Sequence, residues 1–216
     1  MTKRVRVYEH EGFAVEYEPL RCIHAEECVR GLPRVFAPGR RPWIDPSQAA
    51  PPDLAATITR CPTGALHYRP TAEVPAETPD PAASVEAVAD GPLYVRGDIR
   101  LVRPDGEPVR EERVALCRCG ASQNKPYCDN SHIEAGFTDP GVLGEDWLEQ
   151  ADGPLAPGVE ITPTTDGPFH LTGAIEVRGT DGQTANGADG WFCRCGSSQN
   201  KPFCDGSHRR IGFTTR

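Results

Sequence analysis

Cys193-Arg194-Cys195-Gly196-Ser197-Ser198-Gln199-Asn200-Lys201-Pro202-Phe203-Cys204-Asp205-Gly206-Ser207-His208 is the stretch around which the chain is organised. It sets three thiols and one imidazole at the spacing C-x-C-x8-C-x3-H. On an extended strand, residues two apart share a face, so Cys193 and Cys195 can reach one metal ion. On a helix, residues four apart share a face, so Cys204 and His208 can hold a second. Two pairs, each aimed at its own iron, suit a [2Fe–2S] rhomb better than one tetrahedral ion.

The stretch occurs twice. Cys117–His132 differs from it at three positions only, Ala121/Ser197, Tyr127/Phe203 and Asn130/Gly206. Cys117, Cys119, Cys128 and His132 therefore form a second candidate ligand set. Both copies resemble the CDGSH iron–sulfur family, whose signature stands intact at Cys204–His208. The first copy carries Asn130 in place of the glycine. Asn is the non-glycine residue that best tolerates a left-handed backbone, so the turn is expected to survive there.

The chain has 216 residues, of which 22 are Gly and 22 Pro, and 38% are hydrophobic. One large core is not expected; small modules held partly by metal fit better. The net charge of −8 comes with no basic run, so the electrostatic footprint of a nucleic-acid binder is missing. No apolar run approaches the ~20 residues of a membrane helix, and Met1–Tyr8 lacks a secretory core. A soluble, cytoplasmic protein is the expectation. The nine cysteines fall into three groups of three. In a chain with no export signal, such grouping reads as metal ligation rather than disulfides.

The first group is Cys22, Cys28 and Cys61. Arg4–Tyr8 and Phe13–Tyr17 read as short strands and Asp53–Arg60 as a helix leading into Cys61-Pro62-Thr63-Gly64. The pattern C-x2-A-x2-C…C-P is similar to a single-cluster ferredoxin whose second cysteine is replaced by Ala25. Over about residues 3–69 the chain resembles the divergent mono-cluster 4Fe–4S domain, on Cys28–Pro33 and Arg40–Ile44. Three thiolates hold three corners of an iron–sulfur cube. The fourth corner is empty, giving [3Fe–4S]; or capped by His24, a possible fourth ligand; or filled by a small external ligand on [4Fe–4S]. Of these, [3Fe–4S] is slightly preferred. The bland alternative is a small domain with unligated buried thiols.

Pro70–Ala89 is rich in Pro, Ala and Glu and reads as a semi-extended tether. From Gly91 the chain repeats with a period of 76 residues, Gly91-Pro92 matching Gly167-Pro168 and Gly136-Phe137-Thr138 matching Gly212-Phe213-Thr214. Strand-like runs precede each ligand loop: Leu93–Val95, Ile99–Val102 and Val114–Leu116, then Phe169–Leu171, Ile175–Val177 and Trp191–Phe192. Asp152-Gly153-Pro154 copies the repeat opening out of register, as an extra or swapped strand would. The expected fold class is α+β. A small ferredoxin-like domain (1–70) and a linker (71–90) precede two tandem β-rich repeats, 91–150 and 151–216. Family members with one motif pair as strand-swapped dimers, so the resemblance implies an intrachain pseudo-dimer in a monomer. Trp147, between the repeats, is expected to pack. His170, where the first repeat has Tyr94, is expected to pack and not to ligate.

An oxidised [2Fe–2S] core with three thiolates and a neutral imidazole carries −1, against −2 with four thiolates. The potential should therefore exceed the ~−400 mV of a plant-type ferredoxin and fall below most Rieske centres. Asp129 and Asp205 sit where helix N-caps are expected. A ligand imidazole brings protonation near neutrality into the chemistry, so acid should loosen the cluster. Zinc is the competing occupant, but structural zinc sites use C-x2–4-C rather than C-x-C. Lys125 and Lys201, each before a Pro, either bond the cluster region or stay solvated. No nucleophile–base motif, phosphate loop or flavin fingerprint stands out, so no enzyme is expected. The expectation is electron transfer through two Cys3His clusters and one N-terminal cluster. The alternatives are storage or delivery of clusters to an apo acceptor, or redox and pH sensing with a partner protein. Neither nucleic acid nor membrane is an expected partner.

Overall fold

The computed structural model describes residues 5–80, 83–103, 106–155 and 157–215. The chain divides into two compact units, Met1–Thr78 and Pro79–Arg216.

The first unit is built on a three-stranded antiparallel sheet, β1 (Arg6–His10), β2 (Phe13–Tyr17) and β3 (Leu66–Tyr68), with β2 in the middle. The central strand buries Phe13, Ala14, Val15 and Tyr17, whereas the edge strand β1 is largely exposed. Helix α1 (Glu27–Gly31) carries Cys28, and α2 (Pro51–Ile58) packs Leu54, Ala55 and Ile58 into the core. Pro51 opens α2 where a missing N–H costs nothing. Val35, Phe36 and Ile44 complete an apolar core that Cys22, Cys28 and Cys61 border.

The second unit is almost wholly β. Its strands are β4 (Ala83–Ala87), β5 (Leu93–Val102), β6 (Pro108–Leu116), β7 (Val159–Pro163), β8 (Phe169–Arg178) and β9 (Thr184–Phe192). The 76-residue period seen in the cysteines governs these strands too, since β4, β5 and β6 recur as β7, β8 and β9. Within a repeat, β4 runs antiparallel to β5 and β7 antiparallel to β8. Across repeats, β4 runs parallel to β8, Ala83 opposite Ile175, and β7 runs parallel to β5, Val159 opposite Ile99. The two cross-pairings have the same register once the period is subtracted.

Glycine makes this exchange of partners possible. Strand β5 pairs with β4 up to Arg96 and with β7 from Ile99, and its register against β6 shifts between those residues. Gly97 sits in the gap with φ +136, and a Cβ there would stand 2.9 Å from the Ala83 Cα. Gly173 is its counterpart, with φ +128, where a Cβ would stand 2.3 Å from the Gly158 carbonyl oxygen. A side chain at either position would push the crossing strand away. The core alternates as the pleat requires: β5 buries Leu93, Val95, Ile99 and Leu101, and β8 buries Phe169, Leu171, Ile175 and Val177.

The structure differs from the sequence reading at four places. The Pro70–Ala89 stretch is not a tether throughout, because Ala83, Val85 and Ala87 are fully buried in β4. Its small residues have little strand propensity, and neighbours on both sides decide its conformation. The paired runs expected in each repeat are single continuous strands, β5 and β8, carried through the glycine bulges. Asp152-Gly153-Pro154 forms no strand and is exposed; the strand of that region is β7, further on. Trp147 is 45% exposed, and the adjacent Leu148 takes the place in the core.

Candidate metal centres

Each ligand loop of the second unit leaves a strand, turns, and comes back beside it. The Cys117 N–H donates to the Pro126 carbonyl at 2.9 Å and the Cys128 N–H to the Ala115 carbonyl at 2.8 Å. The matching bonds, Cys193 to Pro202 and Cys204 to Trp191, are both 2.8 Å. The loops are tied inside as well. Ser122 Oγ donates to the Tyr127 carbonyl at 2.7 Å and accepts from the Asn124 N–H at 3.0 Å; Ser198 does the same with Phe203 and Asn200. Lys125 and Lys201 are part-buried and tied to their own loops: each Nζ donates to a loop carbonyl, Ser122 or Ser198, at 2.6 Å.

This framework brings the donors into two pairs per centre. Cys117 Sγ lies 3.6 Å from Cys119 Sγ, and Cys128 Sγ lies 3.4 Å from His132 Nδ1. In the second centre the distances are 4.0 Å for Cys193 and Cys195, and 3.4 Å for Cys204 and His208 Nδ1. With a metal–thiolate bond of about 2.3 Å, tetrahedral geometry separates two sulfurs by about 3.8 Å, and a sulfur from an imidazole nitrogen by slightly less. The observed separations are the edges of such tetrahedra, so these residues fit a pair of metal ions, each gripped by one pair of donors.

The thiols are unequal before any metal arrives. Cys117 is drawn down to about 6, chiefly by the hydrogen bond from Cys119, and Cys195 to about 6 by the one from Cys193. Their partners Cys119 and Cys193 are pushed up by the same bonds and by burial. Each C-x-C pair thus sheds one proton readily and holds the other until a cation displaces it. Burial raises Cys128 to about 11 and raises Cys204 as well. His132 is shifted down by burial and by the Arg118 cation, which favours the neutral ring a metal needs.

Asp129 and Asp205 are not the caps themselves. The cap positions are Asn130 and Gly206, both left-handed with φ 71 and 82, as the turn chemistry requires. Each aspartate sits one residue earlier and bridges two segments. Asp205 accepts from the Ser207 N–H at 2.9 Å and the Gln199 N–H at 2.9 Å; Asp129 accepts from Ser131 at 3.1 Å and Gln123 at 2.8 Å. These bonds hold Asp205 down at about 2 against the opposing effect of burial, and they hold Asp129 below its ordinary range.

The two centres meet back to back. A Cβ on Gly120 would stand 3.0 Å from the Cys195 carbonyl oxygen, and one on Gly196 would stand 2.8 Å from that of Cys119. Behind the ligands lie two buried arginines, Arg118 and Arg194, that cysteine spacing alone does not announce. Arg118 pairs with Asp139, donates to the Gly91 carbonyl at 2.8 Å and to that of Val88, and lies over Phe137. Arg194 lies over Phe169 and donates to the Thr164 carbonyl at 3.1 Å.

In the first unit, Cys22, Cys28 and Cys61 line one cavity of about 390 Å³, together with His24, Ala25, Tyr17 and Trp43. Cys28 is raised to about 11, first by burial, then by the proximity of Cys61 and Cys22. Cys61 Sγ is 3.4 Å from Thr63 Oγ1, and Thr63 Oγ1 also accepts the Ala65 N–H at 3.1 Å, which fixes the turn after the cysteine. Tyr17 is shifted upward by burial and by the Cys22 thiol beside it. Neither Tyr17 nor Thr63 stood out in the sequence; the position of Thr63 two residues after Cys61 was the available signal. His24 is exposed and left-handed, with φ 59, on the rim formed before α1. Ala25 lines the cavity where a fourth thiol would otherwise stand, so a three-thiol cage is what this unit offers.

Residues 90–133 and 166–209 match the family described as iron-binding zinc finger CDGSH type, and residues 8–71 match the divergent 4Fe-4S mono-cluster family. The chain carries two CDGSH iron–sulfur motifs, preceded by a divergent 4Fe-4S mono-cluster domain. Over 64 residues the chain is also 38% identical to the uncharacterized protein YjdI of Escherichia coli K12, covering 30% of this chain and 84% of that protein. The same protein from E. coli O157:H7 matches equally. These matches make the chain an iron–sulfur protein, and the thiols and imidazoles described above are the groups that would hold its clusters. Among the described residues, no helix is long and apolar enough to cross a membrane.

Proposed function

We propose that this chain is a non-enzymatic electron-transfer protein. In this reading Cys117, Cys119, Cys128 and His132 hold one [2Fe–2S] cluster, and Cys193, Cys195, Cys204 and His208 hold the other. Cys22, Cys28 and Cys61 hold a [3Fe–4S] or [4Fe–4S] cluster, with His24 as the candidate fourth ligand. The two repeats act as an intrachain pseudo-dimer in a monomer, and the symmetric cross-pairing of β4 with β8 and β7 with β5 supports that view. The observation that carries the reading is the contact between the two ligand loops, Gly120 against Cys195 and Gly196 against Cys119. A short, rigid path between two one-electron centres suits passage of an electron between them. The physiological partner is a redox protein or carrier that meets one of these centres.

The test is an anaerobic redox titration followed by EPR, together with iron and sulfide analysis. Reversible reduction of two His-ligated centres, at potentials above about −400 mV, is the expected result. Cluster loss on reduction would refute electron transfer. His208→Cys should lower the potential of its centre and slow cluster loss in acid.

A second reading, cluster delivery, draws on one observation. In the second centre the Cys–Cys end is the more enclosed, with Cys193 and Cys195 buried and Cys204 and His208 part-exposed. Acid would free the exposed end first. Transfer of both rhombs to an apo-ferredoxin without any electron donor would favour delivery over electron transfer.

A further inference from the structure

Both ligand cages carry an arginine between their first two cysteines, Arg118 and Arg194, and both arginines are buried. Each stays beside its own cage. Arg118 lies over Phe137, whose N–H donates to the His132 carbonyl at 3.0 Å. Arg194 donates to the Thr164 carbonyl at 3.1 Å, and Thr164 shares a cavity wall with Cys204 and His208. What faces the two arginines differs. Asp90 and Asp166 match across the period and act alike, accepting at 2.7 Å from the N–H of Asp139 and of Thr215 respectively. Asp139 and Thr215 also match, and they are the difference. Asp139 pairs with Arg118 where both side chains are enclosed. Thr215 offers only a hydroxyl, which donates to Asp166 at 2.9 Å. Among the described residues Arg194 makes no ion pair, and its Nε is buried without a hydrogen-bond partner.

The residues after each histidine ligand add to this. Ile133 and Glu134 follow His132, whereas Arg209 and Arg210 follow His208, and all four are exposed. Each of these three replacements makes the surroundings of the second centre more positive than those of the first. Two features run the other way. Lys201, in the second loop, also reaches Asp139, but at 3.7 Å and against a carboxylate already paired with Arg118. Asp189 stands where the first repeat has Arg113, four residues before the first ligand. Along a strand that is about 13 Å away. Asp189 is also engaged: its Oδ2 lies 2.8 Å from His170 Nε2, and the His170 ring stacks on Trp191 at 4.0 Å. Neither feature offsets a buried, unpaired cation beside the cage.

We propose that Asp139 and Thr215, with the residues after each histidine ligand, set the two [2Fe–2S] centres at unequal potentials, the second centre the higher. An unpaired cation stabilises an electron added beside it, and a carboxylate that neutralises the cation removes that help. A unit charge within about 10 Å of a partly buried centre shifts a one-electron equilibrium by about tenfold. A single electron shared by the two centres therefore resides on the second about ten times as often as on the first. The proposal rests on the electron-transfer reading and gives it a direction, toward the Cys193–His208 loop. Asp139 is a positioning residue for charge, since it touches Arg118 and no ligand atom.

A mediated redox titration of the full holo-protein, followed by EPR, tests it. The wild type should reduce in two steps whose equilibrium constants differ by about tenfold or more, about 59 mV for one electron. Repulsion between two like centres also splits a titration, so the variants decide. Asp139→Asn should raise the lower potential by about tenfold in its equilibrium constant. Thr215→Asp supplies the missing carboxylate and should lower the higher potential by a similar factor. Either change therefore brings the two steps together. Arg209→Glu should lower the higher step by less, because water and salt screen an exposed charge. Should Asp139→Asn prove too unstable to titrate, Thr215→Asp carries the same test alone. A single step in the wild type, steps that move apart in the variants, or steps that neither variant moves would overturn the proposal. Cluster loss on reduction would instead refute the electron-transfer reading, and the ordering of the centres with it.

Discussion

The two CDGSH repeats have almost the same ligand cage and different surroundings. Their Cys–His separations agree at 3.4 Å, and their Cys–Cys separations are 3.6 and 4.0 Å. The serine, lysine and aspartate bonds inside each loop recur one for one. Beyond the loops the likeness ends. Arg118 has a buried carboxylate partner in Asp139, and Lys201 Nζ reaches the same carboxylate at 3.7 Å. The position equivalent to Asp139 is Thr215, and among the described residues Arg194 makes no ion pair. Burial accordingly lowers Arg194 from its ordinary range, opposed by Cys117 and Asp166. Metal geometry constrains the cage tightly, whereas charge and surface nearby were free to diverge, so equal cages need not make equal centres.

Removing a ligand breaks the comparison most sharply. Cys204→Ser should cost the second centre its iron while the Cys117 centre keeps its own, which iron analysis and EPR of the variant would show. Loss of both centres together would mean that the loops fold only as a pair.

The buried ion pair comes next. Asp139→Asn leaves the Arg118 charge uncompensated where its side chain is fully enclosed, and should destabilise the second unit by about 3 kcal/mol in chemical denaturation. A neutral result would show that the carbonyls of Gly91 and Val88 suffice for Arg118.

Alkali should separate the metal-free from the loaded protein. Cys128 and Cys28 have pKa values raised from 9.0 to about 11 by burial, so their protonated forms favour the folded state. That contribution is complete below about pH 9 and is lost as the pH climbs through 11. Thermal melts of the apo-protein should therefore fall across this window. The holo-protein, whose thiolates are on metal, should not follow.

The smallest effect is expected at the one signature position where the repeats differ. Asn130→Gly removes a side chain from a left-handed residue and should change stability by only a few tenths of a kcal/mol, with no effect on the bound iron. A large loss in calorimetry would show that the Asn130 side chain does more than tolerate its conformation.

Much of the site was legible because ligand spacing is a local property. A C-x-C on a strand and a C-x3-H on a helical turn present their donors wherever the chain takes those shapes, and the glycine-or-asparagine turn before each histidine declares its own backbone. The strand β4 was not legible. Ala83, Val85 and Ala87 have neither the bulk nor the β-branching of a typical strand as a group, and prolines precede them. Arg118 and Arg194 were equally silent, since an arginine between two cysteines looks like a surface residue until its partners fold around it.

The sequence by itself determined the donor sets, the 76-residue period and the tolerance of each turn, because these depend on residue chemistry and short spacings. Only the tertiary structure decided which strands pair across the repeats, where Trp191 rests, and which buried arginine meets a carboxylate. Those outcomes depend on contacts between residues far apart in the chain, such as Arg118 with Asp139 and Ala83 with Ile175, whose geometry no local pattern encodes.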